Sequence, residues 1–377
     1  MPQIQFSVLD FRVLKDIEWS PEGVCLLAGA NGSGKTTVLN ALEFFRTFFL
    51  YGSEVALADG HAFKRLDAPL ECFVKFAVEV DDIAWELHFP SSSLGPLGQP
   101  MERLRRRVQG HYQDIFSAKA NADTFAYQDQ SLPREDARSC AKIVWDRGDE
   151  PWMRPLVNVL ENIRTYRSYW LNQVKNIDPI RLSDSFLHGT GKNLWSVLSN
   201  WQSAPTRYRG QFEWVVNEAR QAFPDVMGRI EFDRGLPYLF PPNASDPADG
   251  LFPVRAADGL LTGLLHLTAV AGAKSGSVIA FDEIENHLHP HAIRSLLSSM
   301  QHIAEEKDLT IILTTHSPVV MNALQAHPEQ FFIIDRRFPK SPRSLLALHG
   351  EDALLQVSLG ELFDQLGFAA PDLSGRG

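Results

Sequence analysis

Gly29-Ala30-Asn31-Gly32-Ser33-Gly34-Lys35-Thr36 fits G-x-x-x-x-G-K-[ST], a spacing that lets a backbone wrap a polyphosphate. Glycine freedom allows successive N–H groups to face one point, and the positive end of a following helix adds to the attraction. At such a loop Lys35 reaches the β- and γ-phosphates and the Thr36 hydroxyl ligates Mg²⁺. The flanks agree with that chemistry. Val24 to Ala28 reads as a buried strand and Thr37 to Phe45 as a helix, so ATP–Mg²⁺ is expected to bind through Gly29 to Thr37.

A second element lies about 250 residues further on. Ser277-Val278-Ile279-Ala280-Phe281 is an apolar strand ending in Asp282-Glu283, the layout of a Walker B element. Side chains alternate along a strand, so the two carboxylates take different tasks: Asp282 on the Mg²⁺ side, Glu283 as the base that polarises the attacking water. Leu309 to Thr315 is another β-branched run, ending at His316-Ser317. A histidine at the carboxyl end of a parallel strand lies on the edge where such sheets bind ligands, and His316 is expected to sense the γ-phosphate.

Phe281-Asp282-Glu283-Ile284-Glu285-Asn286-His287-Leu288-His289-Pro290, followed by Thr314-Thr315-His316-Ser317-Pro318, resembles the signatures of ATPases related to RecF, SMC and OLD proteins. This is the ABC-type branch of P-loop ATPases, AAA family, AAA-21-like. Phe11 to Ile17, Gly191 to Leu198 and Leu359-Gly360-Glu361-Leu362-Phe363 are similar to further segments of that group, so the likeness spans nearly the whole chain. It implies an ABC-type α/β core and a homodimer or higher oligomer closed by ATP. It also implies bacterial origin, and control of a separately encoded effector in anti-phage defence or, alternatively, a RecF-like DNA-repair role. Arg12 and Asn31 are expected as further phosphate contacts. Two positions depart from the pattern. Ile284 replaces a proline. The signature turn aligns with Ala256-Ala257-Asp258-Gly259, where Ala257 lacks the hydroxyl that would cap a partner's γ-phosphate, leaving Asp258, Gly259 and the helix N-terminus as donors. His287, His289 and His291 could suggest a metal, but Pro290 is expected to start a helix and leave His287 and His289 facing a dimer interface.

Composition supports a folded, cytoplasmic protein. The 377 residues are 44% hydrophobic with a formal charge of −10, no apolar run long enough for a bilayer, no signal-peptide pattern and three scattered cysteines. The charge argues against wholesale coating of nucleic acid, although Arg103, Arg105, Arg106 and Arg107 form a local basic strip, read as a solvated helical face. The gap between the motifs contains too many prolines for a coiled-coil rod. About sixty residues follow His316, fewer than the nuclease domain of OLD proteins would need. Leu70 to Val80 and Ile83 to Phe89 predict a hairpin turning at Asp81-Asp82, and helices are expected over Met153–Arg164, Asn193–Trp201 and Tyr208–Phe223. The fold expected is an ABC-type P-loop core, with a mainly parallel sheet beside an antiparallel one. Its halves are 1–89 and 251–377, separated by a mainly helical inserted lobe at 90–250.

Overall fold

Ile4, Phe6 and Val8 are buried while Gln5 and Ser7 between them are half-buried, the period of two that makes β1 (Ile4–Phe11) a one-faced strand. The computed structural model describes residues 3–58, 63–92, 95–148, 150–208, 210–338, 340–350 and 358–361; Leu362 and Phe363 lie outside them. β1 pairs antiparallel with β2 (Leu14–Trp19). All five residues of β3 (Val24–Ala28) are buried, as in a strand covered on both faces. The phosphate loop then leads into α1 (Lys35–Ala56).

The expected hairpin is β4 (Cys72–Val80) and β5 (Ile83–Ser92), turning where Asp81 takes a φ of 53°. Strands continue where the sequence reading opens a helical lobe: β6 (Gly95–Pro96), β7 (Met101–Val108), β8 (His111–Ala118), β9 (Thr124–Tyr127) and β10 (Gln130–Pro133). They extend one antiparallel sheet, ordered β10-β9-β8-β7-β5-β4-β1-β2 with β6 on β5. The arginine strip is therefore strand, not helix. Glu102 and Leu104 are buried in β7, and the three consecutive arginines that follow, Arg105 to Arg107, hide that alternation. On the outer side Arg103 pairs with Asp114 at 2.8 Å, Arg107 with Glu79 at 2.7 Å and Arg105 with Glu86, while Arg106 lies over the Trp152 ring.

Buried Glu102 ties this sheet to the next helix. Its carboxylate accepts from Trp85 Nε1 (2.9 Å) and from the backbone N–H groups of Cys140 and Ala141 (2.8 Å each), which open α2 (Cys140–Asp146). Those are unsatisfied first-turn donors of a helix, met here by a side chain from another element. Helices then dominate: α3 (Arg154–Glu161), the short β11 (Arg164–Tyr166), α4 (Leu171–Lys175), α5 (Leu194–Ser203), α6 (Pro205–Tyr208) and α7 (Gln211–Ala222). The three helices expected in this region correspond to α3, α5 and α7.

After the hairpin β12 (Arg229–Asp233) and β13 (Leu236–Phe240) come α8 (Asp258–Ala271), β14 (Val278–Phe281), α9 (Pro290–Lys307) and β15 (Thr310–Thr314). The chain continues through α10 (Pro318–Ala323), β16 (Phe331–Ile333), β17 (Arg343–Ser344) and α11 (Leu345–His349). The second sheet runs β11-β14-β15-β3-β16-β17 and is parallel except for its last pair. Alternation along its strands sends Leu26, Ile279, Phe281, Ile311 and Leu313 to one face, against α5, α7, α8 and α9. Cys25, Leu27, Val278, Ala280 and Ile312 go to the other, against α1, α3 and the antiparallel sheet. On that side α1 packs by phenylalanines: Phe44 stacks on Phe76 of β4 at 4.4 Å, and Phe45 meets Phe76 edge-on at 5.7 Å. No helix among the described residues is long and apolar enough to cross a membrane.

Candidate active site

Three chain segments converge at the carboxyl edge of the parallel sheet, the edge where open α/β sheets bind ligands: the β3–α1 loop and the ends of β14 and β15. The loop needs its glycines. At Gly34 φ is 115° and a Cβ would fall 2.7 Å from Leu14 Cδ2; at Gly29 it would fall 2.3 Å from the Ile334 carbonyl oxygen. Both positions are pressed against neighbouring strands, so the loop is seated by tertiary packing as well as by its own turn.

Lys35 is buried, and its ammonium donates to the carbonyls of Gly29 (2.8 Å) and Ala30 (3.3 Å) across the loop it closes. Burial lowers its pKa from 10.5 to about 8, against the opposing pull of Asp282, Glu283 and Glu285. Thr36 Oγ1 donates to Asp282 Oδ2 at 2.9 Å, and Thr314 Oγ1 donates to Asp282 Oδ1 at 2.5 Å. A hydroxyl and a carboxylate oxygen in contact, both hard donors, fit Mg²⁺. Ser33 Oγ, buried without a partner in the glycine cradle, fits a phosphate oxygen acceptor.

Thr314 also accepts from the backbone N–H of Glu283 at 2.9 Å, while the Ile284 N–H donates to the Thr314 carbonyl at 3.2 Å. This clamp holds Glu283 in the left-handed region at φ 50°, a conformation that costs a non-glycine residue of order 1–3 kcal/mol and is usual at functional sites. Its Oε2 accepts from Asn286 Nδ2 at 2.9 Å. Glu285 turns the other way, and its Oε1 accepts from the His316 backbone N–H at 2.8 Å. Burial first, and Lys35 second, lower the His316 pKa, so the ring is held toward its neutral form.

Asn31 is exposed at the rim of the loop, and Thr37 lies in the first turn of α1. Arg12 stands in the β1–β2 turn with its guanidinium 5.2 Å from the Phe11 ring centroid. It lines a cavity of about 410 Å³ beside Ser33, together with Arg65 and Arg336. Asp258 and Gly259 lie outside the hydrogen-bonded cluster of Lys35, Thr36 and Asp282. They open α8 behind an N-cap Ala257 that makes no side-chain cap. Asp258 pairs with Lys175 at 2.5 Å, which lowers its pKa, and a Cβ on Gly259 would fall 2.6 Å from the His287 carbonyl oxygen. The signature-like turn thus packs on the loop that follows Asp282-Glu283. Pro290 begins α9 as expected; His289 Nδ1 accepts from the His291 N–H at 3.4 Å, and His291 Nε2 lies 3.2 Å from the Gln221 carbonyl oxygen.

Sequence reasoning missed Thr314, Glu285, Arg65 and Arg336. Thr314 and Glu285 lie inside motifs already singled out, so their proximity was a usable signal. Arg336 has none: its Nη2 comes within 3.7 Å of a Cβ position on Gly32 only because β16 pairs with β3.

Residues 246–322, which hold the α8 turn, the acidic strand end and the Thr-Thr-His-Ser segment, match the family described as "AAA domain, putative AbiEii toxin, Type IV TA system". None of the curated proteins matches the chain. Among solved structures the chain is similar to the SmcHead bound to the C-winged helix domain of ScpA, at 13% identity over 92% of this chain and 99% of that one, TM-score 0.49. It is also similar to the SMC head domain from Thermotoga maritima, at 11% identity over 88% and 94%, TM-score 0.45. A third is the Smc head domain with an extended coiled coil bound to the C-terminal domain of ScpA derived from Pyrococcus furiosus, at 11% identity over 92% and 98%, TM-score 0.44.

Proposed function

We propose, on the premise that the chain is an ABC-type P-loop ATPase of the RecF and SMC group, that it is an ATP-hydrolysing conformational switch controlling a separately encoded effector. The observation that carries the ATPase part is the 2.9 Å hydrogen bond between Thr36 and Asp282, which joins two motifs 246 residues apart. Thr36 and Asp282 would hold Mg²⁺, which when bound supplies charge neutralisation along the phosphates. Lys35 and the loop N–H groups bind the phosphates. Glu283, oriented by Asn286, takes the proton of the attacking water, and His316 reports the γ-phosphate through the Glu285 contact.

ATP then favours a closed pair of chains, in which Asp258 and Gly259 of one copy face the phosphates of the other. Among the described residues, the core takes in those between 3 and 133 and between 251 and 361 plus β11, and the helical insertion lies within 140–250. The family description, which names a toxin of a type IV toxin–antitoxin system, supports coupling to a separate component, in keeping with anti-phage defence. The ion pairs that occupy Arg103, Arg105 and Arg107 favour a protein effector over direct nucleic-acid binding, the RecF-like alternative.

Glu283→Gln tests the reading. Turnover should fall about 10²- to 10⁴-fold with ATP binding retained, the range for loss of a general base. Affinity capture of this variant with ATP from host cells should bring down one stoichiometric protein partner. Undiminished hydrolysis refutes the base assignment, and recovery of DNA alone would favour the repair role.

A further inference from the structure

A cavity of about 430 Å³ opens at the amino ends of β11 and β14, the edge of the parallel sheet opposite the phosphate loop. Half-buried Arg164 and Gln211 line it with exposed Arg207 and Lys274, and with Phe186 and Tyr208. Among the described residues no Asp or Glu lines it, so three cations gather at one hollow of a chain whose net charge is −10.

Arg164 is the informative one. Its Nη1 donates to the carbonyls of Glu161 (2.7 Å) and Ile163 (2.8 Å), and its guanidinium lies 5.0 Å from the Phe186 ring centroid. These partners position the group without neutralising it. Burial, and next the nearby Arg46, lower its pKa, as an under-compensated cation requires. Arg207 lies over the Tyr208 ring at 5.3 Å. Gln211 donates through Nε2 to the Ala271 carbonyl (2.9 Å), while its Oε1 is buried without a partner.

The lining asks for three things: negative charge for the cations, a flat surface for guanidinium and ring faces, and an N–H donor for the Gln211 oxygen. The volume falls within the usual range of small-molecule sites, about 300–1000 Å³. We propose that this cavity binds a small anion carried on a planar ring bearing N–H groups, a nucleoside monophosphate being the simplest molecule with all three properties. The phosphate goes to Arg207 and Lys274 at the mouth and the base to Arg164 and Gln211. This site is separate from the phosphate loop and does not depend on the ATPase reading.

The test is calorimetric titration of the full chain carrying Lys35→Ala, which disables the phosphate loop, with each of the four ribonucleoside monophosphates and with inorganic phosphate. At least one monophosphate should bind, at least tenfold more tightly than phosphate. Arg164→Met should weaken it at least tenfold, as should the double variant Arg207→Glu, Lys274→Glu. If Arg164→Met does not fold, the double variant, made at exposed positions, decides alone. The proposal falls if no monophosphate binds to the Lys35→Ala chain, if phosphate binds equally well, or if the double variant in that background binds like its parent.

Discussion

Thr314→Val removes one hydroxyl and keeps the β-branched shape that suits a buried strand. That hydroxyl makes two bonds in the site, donating to Asp282 at 2.5 Å and accepting from the Glu283 N–H at 2.9 Å. A hydrogen bond to a charged group contributes about 1.5–3 kcal/mol and a neutral one about 0.5–1.5 kcal/mol, so the pair together is worth roughly 2–4.5 kcal/mol. Where that loss falls on the Mg²⁺-bound, reaction-competent arrangement it corresponds to roughly a 30- to 2000-fold fall in kcat/KM. The assay is ATP turnover across an Mg²⁺ titration. Thr314→Val should raise the Mg²⁺ needed for half-maximal activity and lower the plateau, because Asp282 is less firmly aimed and Glu283 less firmly held. Thr314→Ser, which keeps the hydroxyl, should stay within a few-fold of the parent. If the valine variant matches the parent in both respects, the Thr314 clamp has no part in the chemistry.

Other outcomes rest on the same geometry. With the Lys35 pKa near 8, ATP affinity should weaken about tenfold between pH 7 and pH 9 as the ammonium is lost, a change to be followed by titration with a fluorescent ATP analogue. In that range and up to about 10.5 the unfolded chain holds more of this proton than the folded one, so the contribution of Lys35 to folding stability rises with pH while binding falls. Gly34→Ala places a methyl 2.7 Å from Leu14 Cδ2 at φ 115° and should abolish ATP binding in the same titration, because the loop must shift. Glu102→Ala leaves three buried donors without an acceptor at about 1–3 kcal/mol each, so urea unfolding should show a loss of about 3 kcal/mol or more.

Legibility in the sequence tracks how local each signal is. The phosphate loop, the acidic strand end and His316 each announce themselves within ten residues, because the strand, the turn and the reactive side chain are contiguous. Strand β7 reads wrongly as helix because Arg103, Arg105, Arg106 and Arg107 resemble a polar helix face, and only Leu104, buried between them, betrays a period of two. Glu102 gives no sign of its role, since its partners lie in β5 and in α2. The same holds for Arg65 and Arg336, brought beside Ser33 by strand pairing that no local pattern encodes. The weak point of the signature-like turn is legible, however: Ala257 lacks a capping hydroxyl in the sequence and makes no side-chain cap in the fold.

Helix α1 starts at Lys35, the residue proposed to bind phosphate, and, three turns on, carries Phe44, Phe45, Phe48 and Phe49 into the rings of β4 and β5. Close-packed aromatic interiors transmit displacement rather than absorb it. A rotation of a few degrees imposed at Lys35 and Thr36 would therefore press first on β4 and β5 and, through strand pairing, on the rest of the antiparallel sheet out to β8, β9 and β10. A partner seated on that distant rim would read the nucleotide as mechanical travel without ever touching it.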